Sequence, residues 1–411
     1  MPQWSEYSTG QRLKILRGKR YRQADVATGT GLSIVTVQKA EQDKALSLPT
    51  LLTLAAFLGV DTAVILGQQA PRRAMEHDDR MMIRALSCAV HDISAGMVPE
   101  TEEPSTLEEL RQITDHAWAL YWKGHYSEAG AIIAPFLGEA AATLHTAPED
   151  QRCAAWGVLA DAYRIGAYVA NLMGSRDLAY AAIGHAREAA SHAADPLREA
   201  LVLSGRAWVY LRDARLEDSF ALAERAAVDI EPRFSKATPE QLVVFGSHVN
   251  FAAVVASRMG DKERAGDLLS QSHGIGARMG AEKFYHGTLF GPVSAATQAV
   301  GVNVALGLTG KALSLVSSIR DTSPLTLAAR NRYAMDKALA QADAKQWDSS
   351  LDTLEKVLTE SPKWARHQAL PSVIVDKVGS GSTAQLRRVA ALLDAAPRAT
   401  GFAPANRRTA L

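Results

Sequence analysis

One recurring pattern constrains the fold of this chain more than any other feature of its sequence: two helical stretches joined by a short turn. It is found six times beyond residue 106, with small residues before the turn and another soon after it. Helix pairs of this kind cannot bury their apolar faces alone, so they stack on one another. The pattern predicts a helical array, and its turns, 38 to 50 residues apart, are at Gly124, Gly174, Ala214, Gly260, Gly307 and Lys345.

Composition and length agree with an all-α protein built from more than one unit. Hydrophobic residues make up 47% of the 411 residues and aromatic residues only 6%, while alanine is very frequent. Alanine loses no side-chain entropy in a helix, and its small side chain lets helices pack closely. A chain of this length exceeds one core, since domains commonly hold roughly 100–150 residues.

Breaks in the helical pattern divide the chain into four parts. Between the first part and the array, an amphipathic helix is predicted from about residue 75 to 95, because apolar residues recur there at helical spacing. Ser105 and Glu108 have the spacing of a capping box that opens the array. The four predicted parts are a compact head of short helices over 10–67, a linker over 68–104, the array over 105–396 and a flexible tail over 397–411.

The sequence carries no signal for secretion or membrane insertion. Its apolar runs stay below the roughly 18–20 residues of a membrane span, and Met1–Gly10 lacks the charged-then-apolar pattern of a signal peptide. Two cysteines, Cys88 and Cys153, are too few for a disulfide scaffold. We therefore expect a cytoplasmic protein that contacts no membrane, with reduced thiols and Cys88 packed in a core.

Basic residues are concentrated in the head. The whole chain has a net charge of +1, but Met1–Met75 contains ten Lys or Arg residues against five Asp or Glu. Clustered cations favour binding to a phosphate backbone. Charge alone would fit a solvated helix face better, so a motif has to support this interpretation.

Residues 23–42, QADVATGTGLSIVTVQKAEQ, have the pattern of two short helices that cross at a fixed angle. Ala27 is the small residue needed where the helices cross, and Gly31 tolerates the positive φ of the turn. Val26 and Val37 are apolar residues that would lock the second helix in place. Ser33 is placed to cap that helix by accepting a hydrogen bond from an unpaired backbone N–H.

This stretch resembles the Cro/C1-type (XRE) helix-turn-helix regulators. The resemblance covers residues 10–67, including the helix pair SLPTLLTLAAFLGV and the residues Gln23, Ala27, Gly31 and Glu41. It implies that the helix from Ser33 to about Ala40 enters the major groove of double-stranded DNA. The residues that it places at the DNA are Arg17, Arg20, Arg22, Gln23, Ser33, Ile34, Val35, Thr36, Gln38 and Lys39.

The outward positions of that helix imply particular contacts. Ile34 and Val35 would meet thymine methyl groups, Lys39 would read guanine, and Gln38 would contact adenine or a phosphate. Gln23 would approach a phosphate, where the helix dipole helps. The family usually carries more polar residues where this chain has Ile34 and Val35, so DNA shape would supply part of the specificity. The alternative is a head that keeps the geometry but binds protein.

The array resembles tetratricopeptide repeats (TPR) in a lengthened form, since the usual period is about 34 residues. Segments such as ALYWKGHYSEA (119–129) and ASRMGDKERA (256–265) carry the resemblance. It implies a TPR-like α-solenoid with a concave groove whose aromatic, Arg and Asn side chains suit a ligand, although an aromatic residue in such an array more often packs between helices. The implied groove residues are Trp118, Tyr121, Trp122, Arg164, Tyr168, Asn171, Ser204, Trp208, Arg212, Asn250 and Arg258.

A Cro/C1-type head followed by such an array is similar in architecture to the RRNPP peptide-pheromone receptors. The resemblance implies a homodimeric transcription regulator in which a short peptide or small molecule changes the spacing of paired DNA-binding heads, with the linker helix as a dimerisation element. A second hypothesis is a DNA-tethered scaffold that recruits a protein partner through the groove. We expect no enzyme, cofactor or metal site, because GLTGKA (307–312) lacks the first Gly and the Ser or Thr of a phosphate loop.

Overall fold

The computed structural model describes residues 7–18, 21–44, 46–58, 60, 62–67, 77–100, 103–368, 370–379 and 384–395. Over these residues the protein is mostly helical, as expected for an all-α chain, with one two-stranded antiparallel sheet. One described helix, at Pro239–Met259, is long and apolar enough to span a membrane, and 67% of that stretch is buried inside the protein.

In the part of the head that the structure describes, five short helices surround a small core. Leu13, Val26, Val37, Leu51 and Ile65 are all buried there. Each of these side chains comes from a different helix, so the core ties all five together. The helices are α1 (Thr9–Arg17), α2 (Gln23–Thr30), α3 (Ile34–Glu41), α4 (Leu48–Leu58) and α5 (Thr62–Ile65).

The described residues of the linker contain one long amphipathic helix, α6 (His77–Ser94). Its apolar residues Met82, Leu86 and Val90 are buried in the same core as the array. Met82 lies so close to Gly130 that a Cβ added there would come within 2.4 Å of its sulfur. The apolar face of α6, which was predicted to be a dimerisation element, is therefore packed against the array of the same chain. Cys88, by contrast, is exposed and outside the core, so that prediction was wrong.

The array consists of six helix pairs in which each helix packs against its neighbours in the chain. All six predicted turn positions have positive φ, between 58° at Ala214 and 80° at Gly124. The pairs are α7 (Leu107–Trp122) with α8 (Tyr126–Thr146), α9 (Glu149–Leu172) with α10 (Arg176–Ser191), α11 (Pro196–Arg212) with α12 (Leu216–Asp229), α13 (Pro239–Met259) with α14 (Lys262–Met279), α15 (Pro292–Ala305) with α16 (Thr309–Ser318), and α17 (Leu327–Asp343) with α18 (Trp347–Glu360).

The start of the array differs by one residue from the sequence prediction. Thr106 caps α7, with its hydroxyl accepting from the Glu109 backbone and the Glu109 carboxylate accepting from the Thr106 backbone. The Ser105 hydroxyl instead donates a hydrogen bond to the Glu139 carboxylate, with 3.2 Å between Oγ and Oε2. The capping box is present, but in the register of Thr106 rather than of Ser105.

A β-hairpin interrupts the helical array between α14 and α15. Its strands are β1 (Lys283–Tyr285) and β2 (Thr288–Phe290), paired antiparallel with Tyr285 opposite Thr288. The two residues at its tip, His286 and Gly287, have φ of 41° and 71°, as tight two-residue hairpin turns require. The sequence pattern predicted helix throughout the array, and at these two strands that prediction was wrong.

The last helices return to the beginning of the array. They are α19 (Pro362–Ala365), α20 (Leu370–Val378) and α21 (Ala384–Ala395). Trp364 packs over Gly124, and Lys363 forms an ion pair with Glu128 of α8. Arg366 lies 3.4 Å from Asp79 of α6. These contacts bring the two ends of the array together.

Candidate functional site

The geometry of α2 and α3 depends on a glycine and a serine between them. Gly31 ends α2 with φ 68° and ψ 9°, and a Cβ there would touch nothing within 4 Å. Glycine is therefore favoured at this position by the left-handed backbone and not by lack of space. Ser33 caps α3, because its hydroxyl oxygen accepts a hydrogen bond from the backbone N–H of Thr36 at 3.1 Å.

A buried carboxylate holds α3 against the two preceding helices. Glu41, which is 3% exposed, accepts hydrogen bonds from Arg17 Nε at 2.6 Å and from Gln23 Nε2 at 2.7 Å. The hydrogen bond with Glu41 also raises the pKa of Arg17 above its usual value. Arg17 and Gln23, which are predicted to contact DNA phosphates, thus also hold α3 in position.

The remaining predicted DNA contacts lie on the outer face of the head. Ile34 and Val35 are 43% and 52% exposed, which is unusual for large apolar side chains. Lys39 and Ser33 are also exposed, and Thr36 and Gln38 are half-buried. Arg22 is exposed at the start of α2, and Arg20 lies outside the described residues. The face of α3 opposite Val37 and Ala40 therefore presents two apolar groups and one cation to solvent.

The predicted groove residues form an aromatic cluster on α7, α9 and α11. Trp118 has Tyr121 and Tyr168 edge-on, each at 5.5 Å between ring centroids, and the guanidinium of Arg164 above its ring at 4.8 Å. Tyr168 continues the cluster to Trp208, at 5.0 Å. Trp122 also stacks on Trp118, at 6.3 Å, so the structure brings together six of the predicted residues, most of them through packing between aromatic rings.

The tip of the β-hairpin covers this cluster. Trp122 donates its indole N–H to the Gly287 carbonyl at 2.7 Å, and Arg164 donates to the His286 carbonyl. A Cβ at Gly287 would lie 2.3 Å from the Trp118 ring, so only glycine fits at this point. The hairpin tip therefore covers part of the surface that was predicted to bind a ligand.

Beneath the hairpin lies a buried charge cluster that was not predicted from the sequence. Asp161, 3% exposed, lies 3.2 Å from Arg164 Nη2, 3.2 Å from Arg198 Nε and 3.3 Å from His286 Nδ1. Burial alone would raise the pKa of Asp161, but the hydrogen bond with His286 and the charges of both arginines outweigh it and lower the pKa to about 2. The Asp161 spacing to Arg164 on one helix face was the only sequence signal.

The other predicted groove residues fall into two groups. Asn171 is fully buried and accepts from Arg176, Asn250 accepts from Ser272 Oγ at 3.1 Å, and Ser204 is half-buried. By contrast, Arg212 and Arg258 line a cavity of about 300 Å³ together with Trp208 of the aromatic cluster, and there they meet helices α4 and α5 of the head. A second cavity of about 730 Å³, at the hairpin, is lined by Trp118 and Trp122.

His367 lines the first cavity and gives a pH-dependent prediction. Burial, with the charges of Arg366 and Arg212, lowers its pKa to about 3. Because the folded protein excludes this proton and the unfolded chain takes it up below about pH 6.5, stability is complete above that pH and falls as the pH decreases toward 3. We expect a loss of about 1–2 kcal/mol between pH 7 and pH 5, measured by urea unfolding.

The His367→Gln variant is the control for this prediction. Its side chain does not titrate, so its unfolding free energy should be flatter over the same range than that of the unsubstituted protein. Equal slopes for the two proteins would contradict the assignment of this pH dependence to His367.

No family model matches the chain, and no curated protein matches it. Its function is therefore inferred from the residues described above.

Proposed function

We propose that this protein is a sequence-specific DNA-binding transcription regulator of the XRE helix-turn-helix type, acting as a homodimer in the cytoplasm. The observation that carries the proposal is the outer face of α3. This helix is capped by Ser33, anchored by Glu41, and exposes Ile34, Val35 and Lys39. Apolar groups and a cation on an exposed helix suit thymine methyls, guanine and phosphates in a major groove.

The array serves in this proposal as a TPR-like sensor. A signal can shift DNA affinity only if it binds the DNA-competent and incompetent forms unequally. Residues of α11 and α13 share a cavity with α4 of the head, so a molecule bound there touches both parts of the chain. In a dimer, two α3 helices must lie roughly 34 Å apart to read successive major grooves, so a small shift of either head weakens binding.

The test is a charge reversal on α3, Lys39→Glu. Because it replaces a DNA-facing cation with an anion, we expect at least tenfold weaker binding to an operator identified by genomic footprinting, measured by fluorescence anisotropy at fixed salt. Lys262→Glu is the matched control: this exposed residue on α14 gives the same change in net charge away from α3. Unchanged operator affinity in Lys39→Glu, or equal losses in both variants, would count against the proposed interface.

A second candidate function is a DNA-tethered scaffold that recruits a protein. It is favoured by the cavity of about 730 Å³, beside which Phe284 is 56% exposed. An exposed aromatic ring at the edge of a wide cavity is typical of a protein-binding surface. The melting temperature of the full chain, measured with fractions of a cell extract, distinguishes the two candidates. An increase caused by a small-molecule fraction favours the sensor. An increase caused by protein fractions alone favours the scaffold.

A further inference from the structure

The cavity of about 730 Å³ lies where the β-hairpin meets the first and the last helix pair of the array. Its lining comes from α7 and the turn that follows it, from strand β1 and the tip of the hairpin, and from the start of α17. No single helix pair could form this space. Its volume lies within the roughly 300–1,000 Å³ that is typical of small-molecule pockets.

Three aromatic side chains line this cavity: Trp118, Trp122 and Phe284. The rings of Trp118 and Trp122 are stacked, with 23° between their planes. Trp118 is only 4% exposed, so Trp122, which is half-buried, and Phe284, which is 56% exposed, offer the accessible rings. Flat rings on the wall of a cavity favour a flat aromatic ligand, because offset stacking adds to the gain from apolar burial.

The charged residues of the lining are exposed at its rim and have both signs. They are Asp115, Lys123 and Arg330. The histidines of the lining, His125 and His286, each lie near a carboxylate outside it, at 2.7 Å and 3.3 Å. A rim with both signs gives no strong preference for an anion or a cation, so the rings of a ligand contribute more to recognition than its charge.

We infer that this cavity binds a small planar aromatic molecule, stacked on Trp122 and Phe284 with its polar edge toward the rim. The regulatory consequence rests on the proposed function: the aromatic molecule is then the signal that the array senses. Helix α17 lines this cavity with Leu327 and, two turns further on, lines the cavity shared with α4 with Met335. One helix thus connects the bound ligand to the contact between array and head, through which the two binding events are coupled.

The experiment is isothermal titration calorimetry of the full chain with 2-naphthol and with its saturated counterpart, trans-decahydro-2-naphthol. We expect saturable binding of 2-naphthol and at least about fivefold weaker binding of the saturated alcohol, because its puckered rings cannot stack. The anion 2-naphthoate and the cation 2-naphthylmethylammonium carry the same rings. Both should bind within about tenfold of 2-naphthol, because the rim has both signs.

The variant Phe284→Leu tests the stacking directly. It keeps an apolar side chain at an exposed position, so the fold should be intact, but it removes one ring from the cavity. We expect weaker binding of 2-naphthol, by about fivefold, and little change for the saturated alcohol. Phe234→Leu is the matched control: this phenylalanine is 37% exposed and is not part of the lining, so both affinities should stay the same.

A second variant tests the space itself. Ala119→Trp fills the cavity from an exposed position of α7 and should abolish binding of 2-naphthol. Ala221→Trp, at an exposed position of α12, is its control, and circular dichroism and the melting temperature check the fold of both. The inference is overturned if 2-naphthol does not bind saturably, if the saturated alcohol binds equally well, or if Phe284→Leu and Ala119→Trp both bind like the unsubstituted protein. In the first case, stabilisation by protein fractions would assign the cavity to a protein partner.

Operator binding separates this inference from the proposed function. If 2-naphthol binds and changes operator affinity, and Ala119→Trp removes that change, the coupling is supported. If 2-naphthol binds but operator affinity is unchanged, the coupling through α17 fails. If no operator is bound under any condition, the proposed function fails, while the calorimetry still decides whether the cavity is a site for aromatic molecules.

Discussion

Replacing Asp161 with alanine should lower the free energy of unfolding by about 3–5 kcal/mol, as expected when one partner of a buried ion pair is removed. Arg164, 0% exposed, would keep its charge without the nearest carboxylate, and Arg198 and His286 would lose the same acceptor. A loss of this size is a large fraction of the total stability of about 5–15 kcal/mol that folded proteins have. Urea unfolding followed by circular dichroism at neutral pH measures it.

Two further variants distinguish buried charge from general damage. Asp218→Ala removes the carboxylate of an exposed pair with Arg215, so it should change stability by about 1 kcal/mol or less. Asp161→Ala combined with Arg164→Met should recover part of the loss, because the isolated buried charge is removed as well. If Asp161→Ala is as mild as Asp218→Ala, the proposed electrostatic role of the cluster is wrong.

The same cluster predicts how the protein responds to strong acid. Since the pKa of Asp161 is lowered to about 2, its contribution is complete above its unfolded pKa of about 3.8 and is lost as the pH falls toward 2. Arg164 donates hydrogen bonds to both Asp161 and the His286 carbonyl. Protonation of Asp161 therefore also weakens the attachment of the hairpin. The cluster therefore links the pairing of strands β1 and β2 to the packing of α9.

The turns of the array could be predicted from the sequence because their signal is local. A residue with positive φ at the end of a helix favours glycine, which supplied four of the six positions directly. Ala214 and Lys345 lack the glycine, and the small residues of VYLRDARLEDS (209–219) and AQADAKQWDSS (340–350) predicted these two turns. Helical periodicity likewise predicted α6 within two residues at its start.

The segments that cover the inner surface of the array could not be predicted, because their positions depend on contacts between residues far apart in sequence. Trp122 and Gly287 are 165 residues apart, and Arg164 and His286 are 122 apart. Helix periodicity showed that Trp118, Trp122 and Arg164 share one surface, but not that a hairpin covers it. The docking of α4 beside Arg258 is likewise a long-range contact without a local signature.

The second large effect concerns Glu41, which connects the fold of the head to its proposed function. We expect Glu41→Leu to reduce the stability of the head by about 2–4 kcal/mol, because Arg17 loses its ion pair and Gln23 loses its hydrogen-bond acceptor. Hydrogen exchange measures this locally. The amides of α1, α2 and α3 should exchange faster by a corresponding factor, while those of the array are unchanged.

The outcome for DNA binding follows from the position of Glu41 on the inner side of α3. The Glu41→Leu variant keeps Ile34, Val35 and Lys39, so a loss of operator binding would come from the orientation of α3 and not from missing contacts. Arg17→Met combined with Glu41→Leu replaces the pair with apolar side chains and should recover stability. If stability returns and operator binding returns with it, Arg17 positions α3; if only stability returns, Arg17 itself contacts DNA. Equal exchange rates in Glu41→Leu and in Glu217→Leu, an exposed control on α12, would show that Glu41 does not hold the head together.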